Sequence, residues 1–261
     1  MAAPPAITRL SPPAIQRGTT ATLDLQGALG DRPVSIWCSR PELTLELAED
    51  KPQLTVTASG DVTPGLCWIR LHNAEGATEP LPLLVGVLPQ IAEVEPNNLP
   101  REAQRIETLP SAIQGVLHKS GEVDVYAVEL QAGDRLTASV AANSAFGSPM
   151  DPVLQLLSAD GFVLDQNDDT HGNDPQLSAT IDRAGIYYLR LFAFPIGSQQ
   201  HDQLRWRSGL SVSTHAHHTT AGGDAGPFGD GWHRRTADRR RVDGVSTGHA
   251  RLASVSTNVC R

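Results

Sequence analysis

The chain has 261 residues, with 21 Lys+Arg against 29 Asp+Glu, an apolar fraction of 39% and 5% aromatics. That length suits one large domain or two of ordinary size. No run reaches 18 apolar residues, which excludes a helical membrane span, and a net charge of −8 has the wrong sign for a whole-chain nucleic-acid binder. The average conceals a division. Residues 201–261 carry 9 Arg, no Lys and 5 Asp, so the first 200 residues hold 12 basic against 24 acidic side chains. Six of the nine histidines also fall in this basic tail.

At the start, Met1-Ala2-Ala3-Pro4-Pro5 lacks the basic and apolar stretches of a signal peptide. The content nevertheless reads as exported, so the expectation is an extracellular or cell-envelope protein with a truncated start, the alternative being a cytosolic one. Strands are predicted at 20–26, 34–39, 43–47, 53–58, 66–72 and 82–88, punctuated by Pro33, Pro41, Pro52, Gly60, Pro64 and Gly65. Short strands every 8–12 residues imply an antiparallel sandwich over 1–90. The run from Pro4-Pro5-Ala6-Ile7 to Arg17-Gly18-Thr19 resembles the opening of bacterial Ig-like repeats.

Two cysteines lie in this part. Cys38 alternates in step with Val34 and Ile36, and Cys67 with Ile69 and Leu71, so the period of two points both sulfurs toward a core. A disulfide would close a loop of about 30 residues and contribute roughly 3–4 kcal/mol. It requires an oxidising compartment, and two buried thiols are the alternative.

After a hinge at Leu88-Pro89-Gln90 a second series of strands is predicted near 112–118, 124–130, 135–141, 153–158, 162–166, 177–181 and 186–192. Asp160-Gly161 is a two-residue hairpin signal, and 101–108 is the one candidate helix. Several motifs then occur in order. They are Glu93-Val94-Glu95-Pro96-Asn97-Asn98, Gly121-Glu122-Val123-Asp124-Val125-Tyr126, Leu130-Gln131-Ala132-Gly133-Asp134, Asp151-Pro152-Val153-Leu154, Asn167-Asp168-Asp169 and Ala184-Gly185-Ile186-Tyr187-Tyr188-Leu189. Together they resemble the bacterial pre-peptidase C-terminal (PPC) domain, a jelly-roll-like sandwich that accompanies secreted subtilase-type peptidases, and the similar collagen-binding modules of collagenases. The fold class is therefore all-β: two tandem β-sandwiches, Ig-like over 1–90 and PPC-like over 91–196, with a disordered tail over 197–261.

The resemblance implies one more strand after Tyr187-Tyr188-Leu189, and none is recognised in the sequence as it stands. Shifting the reading frame by one base from Gln203 permits Ser-Phe-Ala-Gly-Gly-Gln-Asp-Tyr-x-Tyr-Arg-Leu-Thr-Leu-Thr, a turn and an alternating strand. A frameshift near 196–203 is therefore expected, which would make His215-x-His217-His218 and the arginines at 234, 235 and 239–241 accidental. A missing strand would forfeit about 6–12 kcal/mol of burial and leave an open sheet edge.

Oxygen donors carry what chemistry there is. Ca²⁺ takes six to eight oxygens, often from closely spaced Asp, Asn and Glu. The resemblance implies calcium held by Glu93, Glu95, Asn97, Asn98, Glu122 and Asp124, with Glu122 standing where an aspartate is more usual. A second acidic group, Asp165-x-Asn167-Asp168-Asp169 with Asp151 and Asp174, offers Asp151, Asp168 and Asp169 as a weaker calcium set. It is not an EF-hand, since Thr170 replaces the turn glycine and Gln176 the bidentate glutamate. Solvated turns, which favour Asp and Asn, are the alternative at both.

Outside the tail the histidines are His72, His118 and His171, and none accompanies a Gly-x-Ser-x-Gly elbow. The function expected is a non-catalytic binding or targeting module. Its partners would be an extracellular polymer or protein ligand, or other domains of a larger surface protein. The rival is an accessory C-terminal fragment of a subtilisin-like serine peptidase, and a third possibility is a structural spacer.

Overall fold

The computed structural model describes residues 3–119 and 121–196, together with the backbone of a strand at 206–215. The first half builds β1 (Ala6–Ser11), β2 (Ala14–Gln16), β3 (Thr19–Ala28), β4 (Ser35–Cys38), β5 (Leu43–Leu47), β6 (Gln53–Ala58), β7 (Gly65–Asn73), β8 (Gly76–Ala77) and β9 (Leu81–Gly86). These form two facing sheets, β1-β3-β6-β5 and β2-β9-β7-β4, with β8 paired to β7. Period-two alternation makes the sandwich. On β9, Leu81, Leu83 and Val85 are buried while Pro82, Leu84 and Gly86 lie half-buried. The inward set joins Leu23, Leu54, Val56, Ile69 and Leu71 in one core, as side chains on alternate strand positions must.

The second half adds β10 (Gln90–Ala92), β11 (Gln104–Ile106), β12 (Ser111–Leu117), β13 (Val123–Leu130), β14 (Arg135–Ala141), a helical turn α1 (Asn143–Phe146), β15 (Met150–Leu157), β16 (Val163–Asn167), β17 (Gln176–Thr180), β18 (Gly185–Pro195) and β19 (Trp206–His215). The sheets run β10-β12-β19-β14-β17 and β11-β13-β18-β15-β16. Between them lies a separate core that includes Ile113, Leu117, Tyr126, Leu136, Leu154, Leu189 and Leu191. The all-β class and the tandem sandwiches expected from sequence are thus present. Both sandwiches belong to one unit, Met1–His218.

Two expectations are corrected. Residues 101–108 are not a helix: Pro100–Glu102 form one 3₁₀ turn, and β11 then pairs in parallel with β13, Ile106 facing Val128. A proline can open a helical turn, but the residues that follow take their hydrogen bonds from the sheet edge instead.

The second correction is larger. The final strand expected to be missing is present as β19, between β12 and β14, with Ile113 opposite Leu210 and Ala138 opposite Val212. Its sequence alternates Leu210, Val212 and Thr214 with Ser211 and Ser213, a period that suits a half-buried strand. Without it the sheet would divide into β10-β12 and β14-β17, leaving two open edges inside a sandwich. The premise of the frame change, a fold short of its last strand, does not hold. The tail expected to be disordered from 197 therefore contains a strand, and residues 197–205 and 216–261 lie outside the described residues.

Candidate metal centre

β10 lies parallel to β12, with Ile91 beside Ile113. The chain leaves the sheet at Glu93, whose N–H donates to the Gln114 carbonyl at 3.0 Å, and its side chain crosses back over β12. Gly115 makes room for it. A Cβ at that position would sit 2.8 Å from the Glu93 carboxyl atoms, which is the close approach that a glycine inside a strand commonly signals.

Glu93 is held from three sides. Its Oε2 accepts the Val116 N–H at 2.8 Å, and its Oε1 accepts the Tyr126 hydroxyl at 2.6 Å and the Asn97 amide at 3.0 Å. Glu95 accepts the Asn97 N–H at 3.0 Å. The Asn97 carbonyl accepts the Val125 N–H at 2.8 Å, tying the segment to β13. Gln104 clamps the same segment through the Val94 N–H and the Ala92 carbonyl.

Asp124 faces this group from β13. It is fully buried, and neither of its carboxylate oxygens has a hydrogen-bond partner. The side-chain oxygens of Asn97 and Asn98 are likewise buried and unpartnered. Buried polar atoms normally find partners, because leaving one unsatisfied costs about 1–3 kcal/mol and more for a charge. Ligand oxygens of Glu93, Glu95 and Asp124 all lie within 4.8 Å of one another. Burial first, then the charge and the close approach of the Glu93 carboxylate, then Glu95 and Glu122, push the Asp124 carboxyl up to about 9. The Tyr126 phenol is also raised, by burial and by Asp124 and Glu93. The three converging carboxylates, with the unpartnered amide oxygens of Asn97 and Asn98 on the same segment as Glu93 and Glu95, are a hard-oxygen donor set that fits a calcium-like cation.

Glu122 is placed elsewhere. Its carboxylate accepts the backbone N–H groups of His118 and Lys119 and closes the turn before β13. It adds to the local negative charge without joining the three converging carboxylates.

The centre borders a cleft of about 510 Å³, lined by Ser11, Pro12 and Pro13 of the first sandwich and by Ile91, Glu93, Glu95 and His118 among others of the second. Gln114 bridges the two by donating to the Ala14 carbonyl at 2.9 Å.

Residues 122–193 match the family model of the bacterial pre-peptidase C-terminal domain. The matched residues lie within the second sandwich, from the start of β13 into β18. A protein of Deinococcus radiodurans described as a probable subtilase-type serine protease is 29% identical over 158 residues, which cover 58% of this chain and 20% of that protein. The chain therefore spans about a fifth of the length of the curated relative it matches. The pre-peptidase C-terminal domain of Bacillus anthracis collagenase is 20% identical, with a TM-score of 0.35, over 46% of this chain and all of that one. PliG of Aeromonas hydrophila, a periplasmic inhibitor of g-type lysozyme, is 10% identical, with a TM-score of 0.34, over 49% of this chain and 98% of that one.

Glu93, Glu95 and Asn97 precede the matched residues, while Asp124 and Tyr126 fall inside them, so the centre straddles the start of the pre-peptidase C-terminal domain. The second acidic group of that domain is used differently. Asp174 is buried, and its carboxylate accepts the N–H groups of Ala142, Asn143 and Ser144 and the Ser144 hydroxyl. It caps α1 with the acceptor that exposed helix-start donors require. Asn167 accepts from Thr170 and the Gln176 N–H in a turn. Asp168 and Asp169 are exposed; together with desolvation, their charges raise the pKa of Asp151. Among the described residues these three do not form a second converging set.

Cys38 and Cys67 are thiols on the neighbouring strands β4 and β7. A hydrogen bond between them lowers the pKa of Cys38 and raises that of Cys67.

Proposed function

We propose that the chain is a non-catalytic binding and targeting module of an extracellular or envelope protein, whose pre-peptidase C-terminal domain is stabilised by calcium. The cation would be held by Glu93, Glu95 and Asp124 with the amide oxygens of Asn97 and Asn98. Its chemistry there is structural: it neutralises charge and lets Asp124 ionise. The observation that carries this reading is the Asp124 carboxylate, fully buried, unpartnered and facing two further carboxylates. The Glu93–Asn98 segment leads from β10 in one sheet of the second sandwich toward β11 in the other, so an ion there would also tie those two sheets together.

A second reading has its own support. The 29% identity to a probable subtilase-type protease favours a role as an accessory portion of such a peptidase, which would bring the catalytic part to its polymeric substrate.

The test is a pull-down of the full chain on insoluble protein fibre and cell-wall polysaccharide, with calcium and with EDTA, beside a casein assay. Capture that weakens in EDTA, with no casein cleavage, supports the proposal. Cleavage abolished by a serine-directed inhibitor overturns its non-catalytic part.

A further inference from the structure

The outer face of the β2-β9-β7-β4 sheet carries two tryptophans in the open. Trp37 is 49% exposed and Trp68 42%. They stand on adjacent strands, Trp37 opposite Arg70 and Trp68 opposite Pro82, so the two tryptophans are diagonal neighbours about 7–8 Å apart, somewhat less at Cβ. The backbone N–H of Trp68 donates to the Ser39 hydroxyl at 2.9 Å. Arg70 is anchored through its Nε, which donates to the Thr78 carbonyl at 2.8 Å, and it takes part in neither ion pair found among the described residues. The outward positions of β4, β7 and β9 are Ser35 and Trp37 on β4, Leu66, Trp68, Arg70 and His72 on β7, and Pro82, Leu84 and Gly86 on β9. None is a carboxylate, although the first 200 residues carry twice as many acidic as basic side chains.

We propose that this face binds an anionic polysaccharide of the polyuronate type, with pyranose rings stacked on Trp37 and Trp68 and a uronate carboxylate on Arg70. Flat indoles present large apolar surface to the C–H faces of sugar rings, and their spacing reaches two neighbouring rings of one chain. A guanidinium takes a carboxylate in a two-pronged hydrogen bond that an ammonium cannot copy. Charge complementarity favours an acidic chain, because the one charged group fixed on the platform is a cation that forms no ion pair among the described residues. A second protein copy fits less well. The half-exposed indoles offer on the order of 200 Å², against about 800 Å² per partner in a stable interface.

This inference deepens the targeting reading and rests on it. The test is electrophoresis of the full chain through gels containing polygalacturonate, with its fully methyl-esterified form as the neutral counterpart, and titration of tryptophan fluorescence. Expected are retardation by polygalacturonate, at least a tenfold loss of affinity in Trp37→Ala and in Trp68→Ala, and near-native binding in Trp68→Phe. Arg70→Gln should abolish the preference for the acid form, while Phe194→Ala, an exposed aromatic of the other sandwich, should change nothing. Unchanged melting of each variant in EDTA shows that folding is intact.

No retardation of the native chain overturns the proposal, and so does equal binding of the esterified polymer. A dimer in ultracentrifugation that Trp37→Ala dissolves, without glycan binding, also overturns it. Capture on protein fibre that survives both tryptophan substitutions overturns this proposal while the targeting reading stands.

Discussion

Replacing Asp124 with asparagine separates the cost of a buried carboxylate from its use. Without metal, the folded chain holds a proton on Asp124 up to about pH 9, whereas the unfolded chain releases it near the ordinary value of 3.8. Because the folded pKa is the higher one, the group's contribution to stability is full below pH 4 and is lost as pH rises toward 9. By pH 7 the loss is about three pH units at about 1.4 kcal/mol each, or about 4 kcal/mol. That is a large part of the 5–15 kcal/mol by which a domain is typically stable. An asparagine amide cannot ionise, so Asp124→Asn in EDTA should match the native chain at pH 4 and exceed it by a few kcal/mol at pH 8. Calcium should stabilise the native chain and leave the variant unmoved. The assay is calorimetry of the full chain from pH 4 to 9, with EDTA and with calcium, following the transition that responds to the ion. Native stability in EDTA that stays flat across this range, or a variant that is the less stable one at pH 8, refutes the reasoning.

Gly115→Ala places a methyl 2.8 Å from the Glu93 carboxylate; displacement of that side chain should weaken calcium binding at least tenfold by calorimetric titration, with the β12 backbone intact by circular dichroism. Asp174→Ala removes the acceptor of four hydrogen bonds at the start of α1 and should cost about 3 kcal/mol in urea unfolding, without altering the calcium response. Truncation after residue 200 removes β19 and opens both β12 and β14; the second sandwich should lose its cooperative transition, whereas an unchanged melting profile would contradict the placement of that strand. Air-exposed protein should show a mass 2 Da lower than reduced protein, because Cys38 and Cys67 are already in contact; retention of both thiols under mild oxidant would contradict that pairing.

Much of the sandwich was legible because alternation is a local signal. The strands expected at 43–47, 53–58 and 135–141 coincide with β5, β6 and β14. The three-residue strands β2, β10 and β11 were not legible, since so few residues cannot show a period, and each exists by pairing with a longer neighbour. β19 was missed for another reason: expectation rested on a motif with tyrosines, while the serine-rich alternation around Leu210 and Val212 serves the same gap.

In the candidate centre, the family resemblance indicated Glu93, Glu95, Asn97 and Asp124, but not what separates them from Glu122, two residues before Asp124. That difference lies in where the strand begins: β13 starts at Val123, so Asp124 is held by the strand while Glu122 turns back on its own loop. Tyr126 reads as core from sequence, and its hydroxyl is what reaches Glu93. The glycine inside β12 was the available sign of a close approach.

The most direct measurement is calorimetric titration of the full chain with calcium at pH 7 in two buffers of different ionisation enthalpy. Metal entering beside Asp124 must displace the proton held there, so one ion should bind with release of about one proton, and Asp124→Asn should show neither binding nor release. Binding with no buffer dependence, or binding that survives Asp124→Asn unchanged, would contradict a cation site built on that buried carboxylate.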